Sequence, residues 1–143
     1  MFETVEEIRD GVKREAALEL LTQLYPERGL ETIRTEIDRM LAQQDWRMVG
    51  IFDGDECIAT LLVHTGYRMY CGKFIRMDSM VIDEDRRSEG LGQVLLEWTR
   101  KEGKRLGCEI LLLDSFVTNH HGHRFFFREG MQISGYHFTL ALS

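Results

Sequence analysis

Apolar residues recur at helical spacing over two early stretches and in strand-like runs over most of the remaining chain. Ala17, Leu18, Leu20, Leu21 and Leu24 fall three and four apart and predict a helix over Gly11–Leu24. Tyr25-Pro26-Glu27-Arg28-Gly29 ends it. Leu30, Ile33, Ile37, Met40 and Leu41 share one face of a second helix, Leu30 to about Gln43. A short first strand is expected at Phe2–Val5, before both helices. Trp46–Phe52 reads as a strand, and Asp53-Gly54-Asp55-Glu56 as a hairpin turn. Cys57–Tyr70 is a long second strand with a bulge expected at Gly66. After Cys71-Gly72-Lys73, Phe74–Ile82 is the third strand of a meander.

The amphipathic pattern returns from Gly90 to Leu106, with Gly107 as its stop. Cys108–Asp114 is a strand whose unbroken centre, Ile110-Leu111-Leu112-Leu113, predicts cover on both faces. Joining it to Phe74–Ile82 through the helix makes a right-handed parallel crossover. His120–Glu129 is a short helix stopped by Gly130, and Met131–Leu142 a closing strand kinked at Gly135. The expected order is β-α-α-β-β-β-α-β-α-β: an α/β protein with a mixed central sheet flanked by helices. No internal repeat or linker interrupts it, so residues 1–143 read as one domain.

Composition narrows the function. The chain of 143 residues is 43% hydrophobic and 29% charged, ordinary for a globular protein. A net charge of −6 argues against nucleic acid as a partner and suits a cationic acceptor such as an amine. No apolar run is as long as a membrane span, and Met1–Glu7 lacks the basic and apolar regions of a signal peptide. A cytoplasmic location is the resulting expectation. Cys57, Cys71 and Cys108 lack paired spacing, so buried thiols are expected rather than disulfides or a zinc site.

One stretch stands out, Met77–Leu96. An apolar strand runs into the charges of Asp83-Glu84-Asp85-Arg86, then a glycine-spaced turn, and a helix starts at once. Strand, glycine turn and helix N-terminus together cradle phosphate, because backbone N–H groups and the positive helix end point outward. A dinucleotide fingerprint would need a third glycine where Leu95 stands, and no P-loop pattern fits. What fits is R-x-x-G-x-G over Arg87–Gly92. This resembles the acetyl-CoA signature of the GNAT superfamily of N-acyltransferases. A second stretch, Asn119–Met131, resembles that family's other motif, N-x-x-A-x-x-[LF]-Y-x-x-x-G-[FM]. Asn119, Phe125, Gly130 and Met131 match, Gly122 replaces the alanine, and Phe126 stands where a tyrosine is usual. His120, His121 and His123 fall close together, but without a carboxylate at ligand spacing no metal is expected.

The resemblance implies acetyl-CoA as cosubstrate and transfer of its acetyl group to an amine, on a small molecule or a peptide, by direct attack. Pantetheine would lie along the backbone of Met80, Val81 and Ile82. Pyrophosphate would take N–H groups from Arg87, Ser88, Glu89, Gly90, Leu91, Gly92 and Gln93, with charge from Arg86 and Arg87. Those two arginines also read simply as partners for Asp83, Glu84 and Asp85. Asn119 and Phe126 would complete the cofactor contacts. Tyr25 and Arg28 would lie beside the acceptor. Many relatives dimerise, so a homodimer joins the expectations.

A neutral amine must lose a proton to some base. Asp78, on the strand leading to the turn, occupies a place where some relatives carry an acid. An aspartate inside an apolar strand is costly unless paired or functional, so a structural pairing with Arg76 or Lys73 is the alternative. His64 is the second base candidate, and Asp114 could line the cleft or cap a loop. Phenylalanine at 126 cannot protonate the leaving thiolate. Ser79, His120, His121 or water would then serve, or the step needs no acid, or the domain binds CoA without turnover. A nucleotide-binding α/β protein of another family is a third reading.

Overall fold

The computed structural model describes residues 4–9 and 11–143. Two compact units divide it, Met1–Leu112 and Leu113–Ser143.

In the first unit, β1 (Glu6–Glu7) is followed by α1 (Gly11–Leu24), α2 (Leu30–Leu41), β2 (Trp46–Asp53), β3 (Glu56–Arg68) and β4 (Gly72–Ile82). A 3-10 segment, Glu84–Glu89, leads into α3 (Leu91–Arg105), and β5 (Ile110–Leu113) closes the sheet. The sheet is mixed, in the order β1-β2-β3-β4-β5, and its first four strands are successive antiparallel neighbours. The expected first strand is displaced: Phe2 and Glu3 lie outside the described residues, Thr4 and Val5 are not in a strand, and pairing begins at Glu6 with Gly50.

Alternation assigns the two faces. Leu18 and Leu21 of α1 and Ile33 and Ile37 of α2 cluster with Met48, Leu62 and Val81. The other face receives α3, where Gly103 meets Ile75 so closely that a Cβ would lie 2.8 Å from Ile75 Cγ2. Burying such side chains contributes roughly 1.5–3 kcal/mol each, so the helices are held by packing more than by propensity. Among the described residues no helix is long and apolar enough to cross a membrane.

Three expectations need correction. Gly66 is not bulged; it pairs in register with Phe74, and a Cβ there would fall 2.8 Å from the Phe74 ring. Its lack of a side chain makes room for that ring. β5 is not covered on both faces: Ile110 is exposed and Leu111–Leu113 are half-buried, because β5 ends the sheet. No strand forms over residues 131–143. The second unit's regular element is α4 (His120–Arg128), and Ile133, Tyr136, Phe138, Leu140 and Leu142 after it are exposed.

Candidate functional site

β4 carries an irregularity where the site begins. Leu62 pairs with Asp78, but Thr60 pairs with Val81, so Ser79 and Met80 together oppose Leu61. Such a bulge moves every later side chain to the other face. Val81 would otherwise share the face of Ile75 and Met77; instead it joins the cluster under α1 and α2. Ser79 takes φ 52°, the one non-glycine with positive φ among the described residues. That conformation costs a residue with a Cβ about 1–2 kcal/mol, so its surroundings must hold it.

Two hydrogen bonds do so. Ser79 Oγ donates to Asp78 Oδ1 at 2.9 Å, and the Tyr25 hydroxyl lies 2.7 Å from Ser79 Oγ. Since the serine proton is used on the carboxylate, the tyrosine is the donor to serine. Asp78 Oδ2 also lies 3.3 Å from Arg76 Nη2. A phenol, a hydroxyl, a carboxylate and a guanidinium therefore form one polar line across the bulge. Tyr25 comes from the turn that ends α1, which brings the loop expected beside the acceptor onto the strand carrying Asp78. Arg28 instead pairs with Glu36 at 3.5 Å.

His64 lies two rungs away, paired in register with Arg76 and with Trp46. Its ring stacks on Trp46 at 4.3 Å, and Arg76 sits 5.7 Å from the Trp46 ring centroid. Burial first, then the charge of Arg76, pushes the imidazole below its ordinary pKa, so His64 is neutral at pH 7. Its Nδ1 is buried with no hydrogen-bond partner. His64 thus lies two rungs from Asp78, with the Val63–Met77 pair between them, and Ser79 follows Asp78 in the bulge.

Past the bulge, Asp83 caps the 3-10 segment by accepting from Asp85 N at 3.2 Å. Gln23 of α1 holds this corner from both sides, through Asp83 Oδ1 at 3.4 Å and Glu84 N at 3.1 Å. Gly90 takes φ 77° and precedes α3, which starts without a side-chain cap. The leading N–H groups of such a helix have no intrahelical acceptor and carry its positive end. An ideal Cβ at Gly90 meets nothing within 4 Å, so the turn faces open space. Arg87, Ser88, Glu89 and Gln93 are exposed, Gly92 is half-buried, and Leu91 is anchored in the core. Arg86 is engaged elsewhere, 2.5 Å from Asp53 Oδ2 and 3.5 Å from Glu89 Oε1. Met80 and Ile82 remain half-buried beside buried Val81. Of the thiols, Cys57 is buried and raised to about 12 by desolvation, so it stays protonated; Cys71 and Cys108 are half-buried.

In the second unit Asn119 caps α4, its Oδ1 accepting from Gly122 N at 3.1 Å. A Cβ at Gly122 would lie 2.4 Å from Asn119 Nδ2, so glycine in place of the alanine is what this cap requires. Phe126 is half-buried, edge-on to Phe125 at 5.6 Å. His123 Nε2 lies 2.9 Å from the Phe116 carbonyl, and His120 and His121 are exposed. Asp114 is exposed and lies 3.5 Å from His137 Nδ1.

Residues 14–131 match the family model described as the acetyltransferase (GNAT) family, a span that includes the bulge, the cradle and α4. The chain belongs to the GNAT family. A relative from Salmonella typhimurium, an aminoalkylphosphonate N-acetyltransferase, is 27% identical over 88 residues, 61% of this chain. The chain spans 57% of that relative's length. Among solved structures, glucosamine-6-phosphate N-acetyltransferase from Arabidopsis thaliana superposes with a TM-score of 0.76 at 21% identity, covering 100% of both chains. The aminoglycoside N-acetyltransferase AAC(6')-Iy in complex with CoA superposes with a TM-score of 0.82 at 12% identity, covering 99% of this chain and 96% of that one. At these identities the structural likeness speaks for the fold.

Within this GNAT frame, Tyr25 was legible only as a neighbour of the acceptor, and Gln23 was not legible at all. Neither has a motif. Each acts through a contact more than fifty residues away in the chain. Proline after Tyr25, which ends α1 and turns the tyrosine out of the helix, was the available signal.

Proposed function

We propose that the protein transfers an acetyl group from acetyl-CoA to a primary amine of a small molecule or peptide. The observation that carries this reading is Asp78, an acid set at a bulge and bracketed by Ser79 and Arg76, on the strand that leads into an uncapped helix turn. The turn's residues fit a diphosphate: Gly90 presents bare backbone to open space, and α3 supplies N–H groups and a positive end. Acetyl-CoA would bring the activated acyl group as a thioester. Leu91 and Gly92 would bind its diphosphate, and the backbone at Met80–Ile82 its pantetheine arm.

In this scheme the neutral amine adds to the thioester carbonyl, the C–S bond breaks, the thiolate leaves, and the amine proton passes to Asp78. Ser79 fixes one carboxylate oxygen and Arg76 holds the other, which orients the base before the acceptor arrives. Neutral His64, two rungs away, is the second group able to take a proton. Amine acceptors carrying phosphonate or amino-sugar groups deserve first trial, because the relatives named above act on aminoalkylphosphonates, glucosamine-6-phosphate and aminoglycosides.

Phe126 favours a second reading, a GNAT domain that binds acyl-CoA without turnover, since its ring offers no proton to a thiolate. Thiol release from acetyl-CoA, measured over aminoalkylphosphonates, amino sugars, aminoglycosides, polyamines and lysine peptides, separates the two. Release with any acceptor supports transfer. CoA binding without release on the whole panel supports the binding module, and absence of CoA binding sinks both.

A further inference from the structure

The hairpin that joins β3 to β4 ends in large side chains that face water. Tyr67 is 76% exposed, Tyr70 is 67% exposed and Met69 is fully exposed. Together they present on the order of 400 Å², the size at which an apolar patch on a single chain marks an interaction site. Tyrosine, methionine and arginine are enriched where proteins meet partners, and Tyr67-Arg68-Met69-Tyr70 contains nothing else. The charge of the hairpin also runs against that of the chain. No Asp or Glu occurs from Cys57 to Met77, in a protein with 24 acidic residues and a net charge of −6. Arg68 is exposed, 5.1 Å from the Phe74 ring centroid, and forms no ion pair among the described residues. Arg47, Arg76 and Arg86 each pair with a carboxylate. Glu109 approaches the tip beside Gly72, also outside any ion pair among the described residues.

Register puts this cation on the face of the proposed base. Arg68 pairs with Gly72 and Leu62 pairs with Asp78, with no register shift between the two pairs. Both separations are even, so Arg68 and Asp78 project from the same face of the hairpin. From Gly72 to Asp78 is six residues along β4, about 20 Å at the rise of a strand. On that face Arg76 and His64 lie between them and are half-buried. A small amine at Asp78 does not reach Arg68. An extended chain of about six residues does.

We infer that the β3–β4 hairpin tip docks an acidic segment of a polypeptide acceptor, with a carboxylate on Arg68 and apolar contacts on Tyr67, Met69 and Tyr70. The acceptor amine at Asp78 then stands about six residues away along the extended peptide. The placement of the amine rests on the acyl-transfer reading; the docking contact does not. Charge sets the class of partner: an unpaired arginine in an acid-free hairpin selects carboxylates. Area sets its size. The patch is about half of the roughly 800 Å² that each partner buries in a standard interface, which suits a peptide segment rather than a folded domain. Membranes and nucleic acids offer negative charge as well, but a net charge of −6 opposes approach to either.

Fluorescence anisotropy tests the docking without any chemistry. The probes are labelled peptides carrying one acetyl-lysine in a Gly/Ser chain, with a Glu-Leu-Glu block about six residues to either side of it, next to it, or replaced by Lys-Leu-Lys. One of the two distal acidic peptides should bind at least tenfold more tightly than the basic one. Arg68→Glu should abolish that preference, Arg68→Lys should keep it, and Tyr70→Ser should weaken binding several-fold. Arg68 and Tyr70 are exposed, so the variants should keep their far-ultraviolet circular dichroism. The same peptides with free lysine, read by thiol release from acetyl-CoA, should show the same order in kcat/KM, while Arg68→Glu leaves turnover of an aminoalkylphosphonate unchanged. Acidic peptides that bind through Arg68 without thiol release support the docking site and sink acetyl transfer to peptides. Thiol release indifferent to the acidic block, or acidic binding unchanged in Arg68→Glu, overturns the inference and leaves acyl transfer standing. Phosphatidylserine vesicles bound through Tyr70 and Arg68 in preference to every peptide overturn it as well.

Discussion

The Tyr25 hydroxyl sits 2.7 Å from Ser79 Oγ and thereby ties the turn after α1 to the bulge of β4. The bond spans 54 residues and closes on a serine in a left-handed conformation, whose own proton is committed to Asp78. On the proposed reading, tyrosine positions the base from outside.

Tyr25→Phe keeps the ring and removes this donor. Net loss of one such bond is about 0.5–1.5 kcal/mol, so kcat should fall between about 2-fold and 10-fold. CoA affinity should fall less than kcat, because the lost bond is to Ser79 and not to the Gly90 turn. Equal losses in kcat and in CoA affinity would instead indicate a general loosening of the fold.

Asp78→Asn is nearly isosteric and retains an acceptor for Ser79. Loss of a general base should lower kcat/KM by about 10²–10⁴-fold. Activity should recover partly at high pH, where the acceptor amine is neutral without help. A profile unchanged in height and shape would remove Asp78 from proton transfer. Attention would then pass to His64, whose pKa burial and the Arg76 charge lower.

Gly90→Val tests the cradle. At φ 77° a β-branched residue strains the backbone by about 1–2 kcal/mol, so a lower Tm is expected even though the added atoms meet no neighbour. CoA affinity, measured calorimetrically below the unfolding range, should fall at least tenfold through blocked backbone approach. Unaltered affinity would place the diphosphate elsewhere.

A structural prediction concerns Glu102 on α3, which bridges Arg105 and Arg47 at 2.6 Å each. The Arg105 hydrogen bond, then Arg47, holds its carboxyl at about 2, well below the ordinary 4.5. A depressed acid stabilises the fold above its unfolded pKa and loses that contribution as pH falls from about 4.5 toward about 2. Its size is on the order of 3 kcal/mol. Glu102→Gln should therefore lower stability at pH 7 and flatten the fall between pH 4.5 and 2.5. Denaturant titrations at several pH values measure both. An unchanged acid slope would show that Glu102 is not part of the linkage.

Periodicity and glycine spacing determined much of this protein by themselves. The two N-terminal helices, the three-strand meander, α3 and α4 are local patterns, and each chain segment selects them through its own side-chain period. The glycine turn into α3 was legible for the same reason: Gly90 immediately precedes the helix, and Gly92 lies in its first turn. Tertiary structure decided what depends on register and on distant partners. Alternation cannot reveal that Ser79 and Met80 oppose one residue, that Phe74 rather than a bulge explains Gly66, or that Tyr25 reaches Ser79. Nor could the aliphatic run Ile110–Leu113 announce that it would lie at a sheet edge. A strand's hydrophobic pattern specifies that it is to be covered; which strand covers it is settled only by what stands beside it in space.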